Sequence, residues 1–323
     1  NGGGAWRRVD RIAGVPDTSY VSYLHPSAHD ANVVYASVLN YQRGDFKPYV
    51  LRSADRGRTW TSITANLPAR GSVHVVREDP KQKGLLFAGT EFGLWVSFDD
   101  GARWQQLRNG LPPIPVRDVA FQPENDDLVI ATFGRGIYVL DDYAPLRALV
   151  AGAPRAEATL FPTRTAHLFL NDSPLGGDGV SFQGASHYFA ANPSVGATFT
   201  YHLRSALRSA RQQRQDREQG LNRSGADVPF PGWDALKAEQ DEEAPTVEVE
   251  ITDASGAVVS RFTGPSAAGT NRVTWNLRWP SMTPVGGQGG GFGFGGGGGG
   301  GGGGQAAGGA QGGSGPHVVP GTY

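Results

Sequence analysis

The 323-residue chain carries 29 basic and 30 acidic side chains, and its formal charge of −1 gives no general attraction for nucleic acid or an anionic membrane surface. It has no cysteine, which excludes disulfide frameworks and thiolate metal sites. No stretch reaches the roughly 18 apolar residues of a membrane-spanning helix, so no membrane insertion is expected.

Residues 1–143 contain a repeat. Trp6, Trp60 and Trp104 mark successive copies, the last two 44 residues apart. Each tryptophan is followed by an alternating apolar segment ending at a proline (Pro26, Pro80, Pro123), then by a β-rich run: VVYASV, LLFAGT or LVIATF. In the best-defined copy the alternation predicts strands over 72–79, 85–90, 94–98 and 104 to about 107. Four short strands joined by tight turns make an antiparallel meander, the unit of a β-propeller blade. The order along the chain is then a trailing strand from Trp6 to about Arg11, two whole blades, and three strands of a last one. Propellers close with about four to eight blades. The sequence therefore reads as the C-terminal part of a longer propeller, with the last blade's outer strand coming from a preceding region.

The turn between third and fourth strands has its own chemistry. In SADRGRTW and SFDDGARW the aspartate can accept from backbone N–H groups of the turn, and the glycine adopts a positive φ at low cost. The tryptophan ring packs between sheets, and its indole N–H needs an acceptor. Ser53, Asp55, Gly57 and Trp60, and again Ser97, Asp99, Gly101 and Trp104, are thus expected to be structural. The EF-hand spacing of acidic residues is absent. The last copy, YVLDDY, keeps the strand and loses the turn motif.

The pattern Ser-x-Asp-x-Gly-x-x-Trp resembles the Asp-box of BNR repeats. Together, GDFKPYVLRSADRGRTWTSI, GTEFGLWVSFDDGARW and ATFGRGIYVLDDYAPLRAL resemble the last blades of large bacterial proteins with sortilin-like propellers, often labelled glycosyl hydrolases. The resemblance implies secretion or a periplasmic location. It also implies that the propeller continues into an Ig-like sandwich. Relatives commonly read His-Gly-Arg-Gly where this chain has Phe133 before Gly134, Arg135 and Gly136.

Beyond the repeat, 144–182 reads as a linker crossing to a second domain over 183–323. Runs at 197–204, 246–262 and 271–278 predict strands of a small β-sandwich, with Asp-Ala-Ser-Gly as a hairpin turn. Their order resembles the FlgD-like Ig domain, in which PGTY opens the last strand. A charged insertion over 204–244 predicts two exposed helices, whose mixed charges and lack of stacking aromatics argue against nucleic acid. A Gly-rich loop is expected at 285–315.

The fold class expected is therefore all-β, a partial propeller followed by a truncated sandwich. Strand direction sorts the propeller's connections. In an up-and-down blade the Asp-box turns share one end, while second-to-third connections and inter-blade loops share the other. That other end collects a segment read as a long loop, 40–49, with Arg43, Asp45 and Lys47, together with Glu91, Phe92 and Arg135. Function concentrates on such extensions, so these charged residues are the candidate contacts for a glycan, peptide or protein. Two carboxylates near a propeller axis could alternatively serve as glycosidase acid and base, with the set completed by other blades. No catalytic residue can be assigned, no cofactor is implied, and the seven histidines lack metal spacing. His25 and His29 read as loop surface. No nucleotide loop or nucleophile elbow occurs.

Overall fold

The structure, a computed structural model, describes residues 4–108, 110–152, 156–169, 193–280 and 315–323. The chain divides into two compact units, Asn1–Ala153 and Pro154–Tyr323. It is mostly β, and every sheet is antiparallel.

In the first unit, β1 (Tyr20–Pro26), β2 (Val34–Asn40), β3 (Asp45–Ser53) and β4 (Thr61–Ser62) pair in chain order. The second sheet repeats this with β5 (Val73–Glu78), β6 (Leu86–Thr90), β7 (Gly93–Ser97) and β8 (Gln105–Leu107). The third has β9 (Val116–Gln122), β10 (Asp127–Thr132) and β11 (Ile137–Leu140). The first strands of successive sheets touch, β1 against β5 and β5 against β9, as in a radial stack.

The middle sheet is buried on both faces because its side chains alternate between two cores. Val75 and Phe87 pack with Val116, Val119, Leu128 and Ile130 of the third sheet. Val73, Val76, Leu86 and Ala88 pack with Val33, Tyr35, Val50 and Trp104. Val73 and Val76 are three apart yet share a face, which needs an extra residue between them. The register supplies it. Val73 pairs Thr90 and Val75 pairs Gly89, leaving His74 as a β-bulge. The same slip leaves Ser22 unpaired in β1 and Arg117 in β9. Each first strand thus has a bulge at its second or third residue.

The SADRGRTW and SFDDGARW turns are closed by their own side chains. Asp55 Oδ1 accepts from the N–H groups of Arg58 and Thr59, each at 2.8 Å, and from Ser53 Oγ at 2.8 Å. Asp99 Oδ1 accepts from Arg103 N–H at 2.8 Å, while Ser97 Oγ accepts from Gly101 N–H at 2.9 Å. Gly101 has φ +88°, and a Cβ there would lie 2.8 Å from Ile63. Both the conformation and the space therefore require glycine.

Three expectations are corrected in this unit. Trp6–Arg11 forms no strand: a side-chain bond from Arg7 Nη2 to Arg56 O at 3.1 Å stands where a backbone ladder was expected, and Trp6 is 90% exposed. The segment 40–49 is not a long loop. Tyr41–Arg43 make one 3-10 turn, Gly44 closes it at φ +77°, and Asp45 already pairs with Asn40. Phe46, Lys47 and Pro48 then stand opposite Leu39 in an irregular register, where a strand proline is tolerated. Residues 144–152 belong with the first unit rather than a linker. Helix α1 (Pro145–Ala148) continues from buried Tyr143, and Leu146 and Val150 pack on its core.

In the second unit β12 (Ala158–Leu160), also expected within the linker, pairs with β13 (Ala197–Leu203), which pairs in turn with β16 (Gly269–Trp275). The hairpin of β14 (Val247–Thr252) and β15 (Val258–Gly264) forms the other sheet. Tyr201, Leu203, Val273 and Trp275 of the first sheet share a core with Ile251, Val259 and Phe262 of the second. Between β13 and β14 stand α2 (Ala210–Ser224), with a capping box at Ser209, and α3 (Trp233–Asp241). Arg214 joins them through Glu239. Residues 320–323 form no strand; the terminal pairing falls earlier, at His317 with Arg278. The expected Gly-rich loop, Gly315 apart, and residues 183–192 lie outside the described residues.

Candidate ligand-binding face

Asp45 opens β3, and the SADRGRTW turn begins at its end, Ser53. A nine-residue strand spans roughly 30 Å, so the two stand at opposite ends of the sheet. Glu91 and Phe92 connect β6 to β7, whose far end is Ser97, and Arg135 lies between β10 and β11. At this end the connections are tied together by backbone bonds: Gly71 N–H to Phe46 O at 3.0 Å, Glu91 N–H to Ser72 O at 3.0 Å, and Phe133 N–H to Pro115 O at 2.9 Å.

The five charged residues singled out from sequence differ in state. Asp45 is occupied by its own turn: Tyr49 Oη donates at 2.6 Å, Asn40 Nδ2 at 3.1 Å and Lys47 N–H at 3.2 Å. Those donors, the Tyr49 hydroxyl first, lower its pKa. Lys47 contributes its N–H to that turn, and its charge adds a smaller lowering. Arg43 lines a shallow cleft of about 280 Å³ with Thr18, Tyr20 and Tyr41. Arg43 and Arg135 have no ion pair among the described residues. Glu91 is engaged by a residue that the sequence reading passed over.

That residue is His74, turned inward by its bulge and 5% exposed. Its Nδ1 lies 3.1 Å from Arg117 Nη1, and its Nε2 lies 2.8 Å from Glu91 Oε2. A guanidinium only donates, so Nδ1 accepts and Nε2 carries the proton that it gives to Glu91. The imidazole is therefore neutral. Burial lowers its pKa most; the Glu91 hydrogen bond opposes this and the Arg117 charge adds to it. Arg117 is itself exposed, with its guanidinium 5.1 Å from the centre of the Phe133 ring. Bulge residues of adjoining sheets are thus linked. Ser22 and Ser37 hydroxyls lie 2.9 Å apart, and Ser37 donates to the His74 carbonyl at 3.1 Å.

A stability consequence follows. His25, which lies in β1 rather than in a loop, is also lowered, chiefly by burial and then by Arg77. Between the ordinary value of 6.5 and the lower folded values the unfolded chain binds more protons. Stability from these histidines is complete above 6.5 and is lost as pH falls through the folded values. Thermal unfolding followed from pH 7.5 to 5 should show a falling midpoint. The double variant His25→Gln, His74→Gln should flatten that slope; an unchanged slope would contradict neutral histidines.

The opposite end holds a buried ionic network. Asp79, fully buried, accepts from Arg147 Nε at 3.0 Å and from Lys81 N–H at 2.7 Å. Arg147 also reaches Asp126 and the Tyr143 hydroxyl, each at 2.9 Å. His29 Nε2 stands 2.8 Å from the Asp79 carbonyl. These contacts fasten the last sheet and α1 to the middle sheet. Among the described residues no group of three or more potential ligands could hold a metal ion.

No family model and no curated protein matches the chain. Among solved structures it is similar to a GH74 enzyme of Niastella koreensis, with 24% identity and a TM-score of 0.33 over 37% of this chain and 21% of that one. It is also similar to the GH74 xyloglucanase of Xanthomonas campestris, at 22% identity and a TM-score of 0.31, over 44% and 25% of the two chains. A third likeness is to YCF48 bound to D1 peptide, at 17% identity and a TM-score of 0.32, over 44% and 43%. The chain therefore spans less than half the length of each. No helix among the described residues is long and apolar enough to cross a membrane.

Proposed function

We propose that the first unit is the end part of an Asp-box β-propeller and serves as a ligand-binding module of an exported protein. Its ligand lies on the face that carries Phe92, Phe133, Arg43 and Arg135. The second unit, two sheets around one core, fits an Ig-like sandwich. One observation carries the reading. Each sheet offers an exposed ring at its second-to-third connection: Tyr41, Phe92 and Phe133, with exposures of 39%, 49% and 66%. Rings this exposed add nothing to the core, whereas they give a ligand large contact area at small entropic cost.

A glycan array probed with the full chain tests this. The double variant Phe92→Ala, Phe133→Ala should reduce binding by about tenfold or more, the scale of two modest ring contacts. Unaltered binding by a folded double variant would remove this face from the account.

The alternative, part of a glycoside hydrolase, draws support from one feature: Glu91 is a carboxylate beside a buried histidine. A glycosidase needs a second carboxylate about 5–10 Å away, and Asp45 is committed to its own turn. The chain alone should turn over no aryl glycoside. Turnover abolished by Glu91→Gln would favour the hydrolase instead.

A further inference from the structure

We propose that the ligand is an acidic glycan, and that Arg117 takes the carboxylate of a uronate residue. This rests on the binding face proposed above and adds the ligand's charge and the residue that reads it.

Arg117 is presented by the strand, not by a loop. A bulge leaves it out of the strand pairing, as it does Ser22 and His74 in the same register, and here the side chain is exposed where His74 is buried. Two contacts then hold the guanidinium. His74 Nδ1 accepts one N–H at 3.1 Å, and the Phe133 ring lies against it at 5.1 Å. Neither contact neutralises the charge, because the imidazole is uncharged and Phe133 is apolar. The remaining N–H donors have no partner among the described residues. A fixed, exposed guanidinium with free donors matches the two oxygens of a carboxylate.

The surroundings agree in sign. Arg43, Arg70 and Arg135 share this end, and none pairs with a carboxylate among the described residues. Asp45 and Glu91 keep their negative charge, since the groups that donate to them are neutral. With Arg117, the four arginines at this end still outnumber those two carboxylates, so the face is locally basic in a chain whose formal charge is −1. Exposed rings lie beside these cations. Phe92 stands near Gly71, next to Arg70, and Tyr20 and Tyr41 line the Arg43 cleft. A polyuronate repeats both complements at each residue, a carboxylate and an apolar ring face. An acidic peptide would match the charges but not the regular pairing of ring with cation.

His74 is a positioning residue in this scheme. It never touches the ligand; it keeps Arg117 in place only while Nδ1 is unprotonated.

Calorimetry on the full chain with three probes tests the proposal: oligogalacturonate, its methyl ester, and a glutamate-rich peptide. The free acid should bind, and esterification should weaken it about tenfold to a hundredfold, the scale of charge-assisted hydrogen bonds. Arg117→Ala should lose the same factor for the acid and little for the ester. Arg117→Lys, with charge but no fork, should fall between. His74→Phe should lower acid affinity and abolish its fall at acidic pH, while His74→Gln, which retains an acceptor, should restore most of it. Equal binding of acid and ester would overturn the carboxylate assignment and leave the face standing. Binding of the peptide alone would overturn the glycan, and binding of none would overturn the proposal altogether. The ester comparison uses the unmodified chain, so it holds even if a variant fails to fold.

Discussion

Arg147→Ala should destabilise the first unit by about 3–5 kcal/mol, the cost of leaving a buried carboxylate without its cation. Asp79 has no exposed surface and Arg147 only 15% of its side chain exposed, so water cannot replace the lost partner. The variant also strips Asp126 and Tyr143 of a donor, and α1 loses its tie to the middle sheet. For a unit of this size the melting midpoint should drop by roughly 10 °C. Lys81→Ala is the control. Its ammonium pairs with Asp126 at 45% exposure, where ion pairs contribute about 0–1 kcal/mol. Equal effects from the two would mean that the network is no more than surface charge.

Trp104→Ala should cost about 3–5 kcal/mol, the range for emptying a buried aromatic site. Trp104 is 1% exposed, and its indole N–H donates to Ile63 O at 2.8 Å. Its backbone is bound on both sides by Asn66, so the ring is a joint between the first and second sheets. Trp60 occupies the same motif but is only partly buried, and its Nε1 has no acceptor among the described residues. Trp60→Ala should therefore cost less, roughly 1–3 kcal/mol. Denaturant titration of both variants checks the order. If Trp60→Ala were the more damaging, the burial argument would fail.

What the sequence revealed and what it hid divide along physical lines. Local chemistry was legible. Alternation gave the strands of the middle sheet to within a residue or two, and glycine with aspartate marked the turns after Ser53 and Ser97. Pairing register was not. The bulges at Ser22, His74 and Arg117 lie inside segments whose alternation looks unbroken to the eye. A signal did exist: aligning the copies at Val21, Val73 and Val116 puts these three polar residues in one column. Segment 40–49 misled because it is longer than the matching connections of the other copies, whereas most of it forms a 3-10 turn and an irregular stretch of strand around Pro48. Trp6 misled because a tryptophan at repeat spacing needs a paired strand to pack against. The Asp79–Arg147 network joins residues 68 apart, and no local pattern announces it.

The central claim is that ligand lies at the end of the first unit remote from the turns that follow Ser53 and Ser97. Hydrogen exchange of the full chain, with and without the best-binding glycan of the array, tests it directly. Protection is expected in the amides of residues 70–74, 90–94 and 132–137, with 53–60 and 97–104 unchanged. Protection confined to those two turns, or to the second unit, would contradict the account.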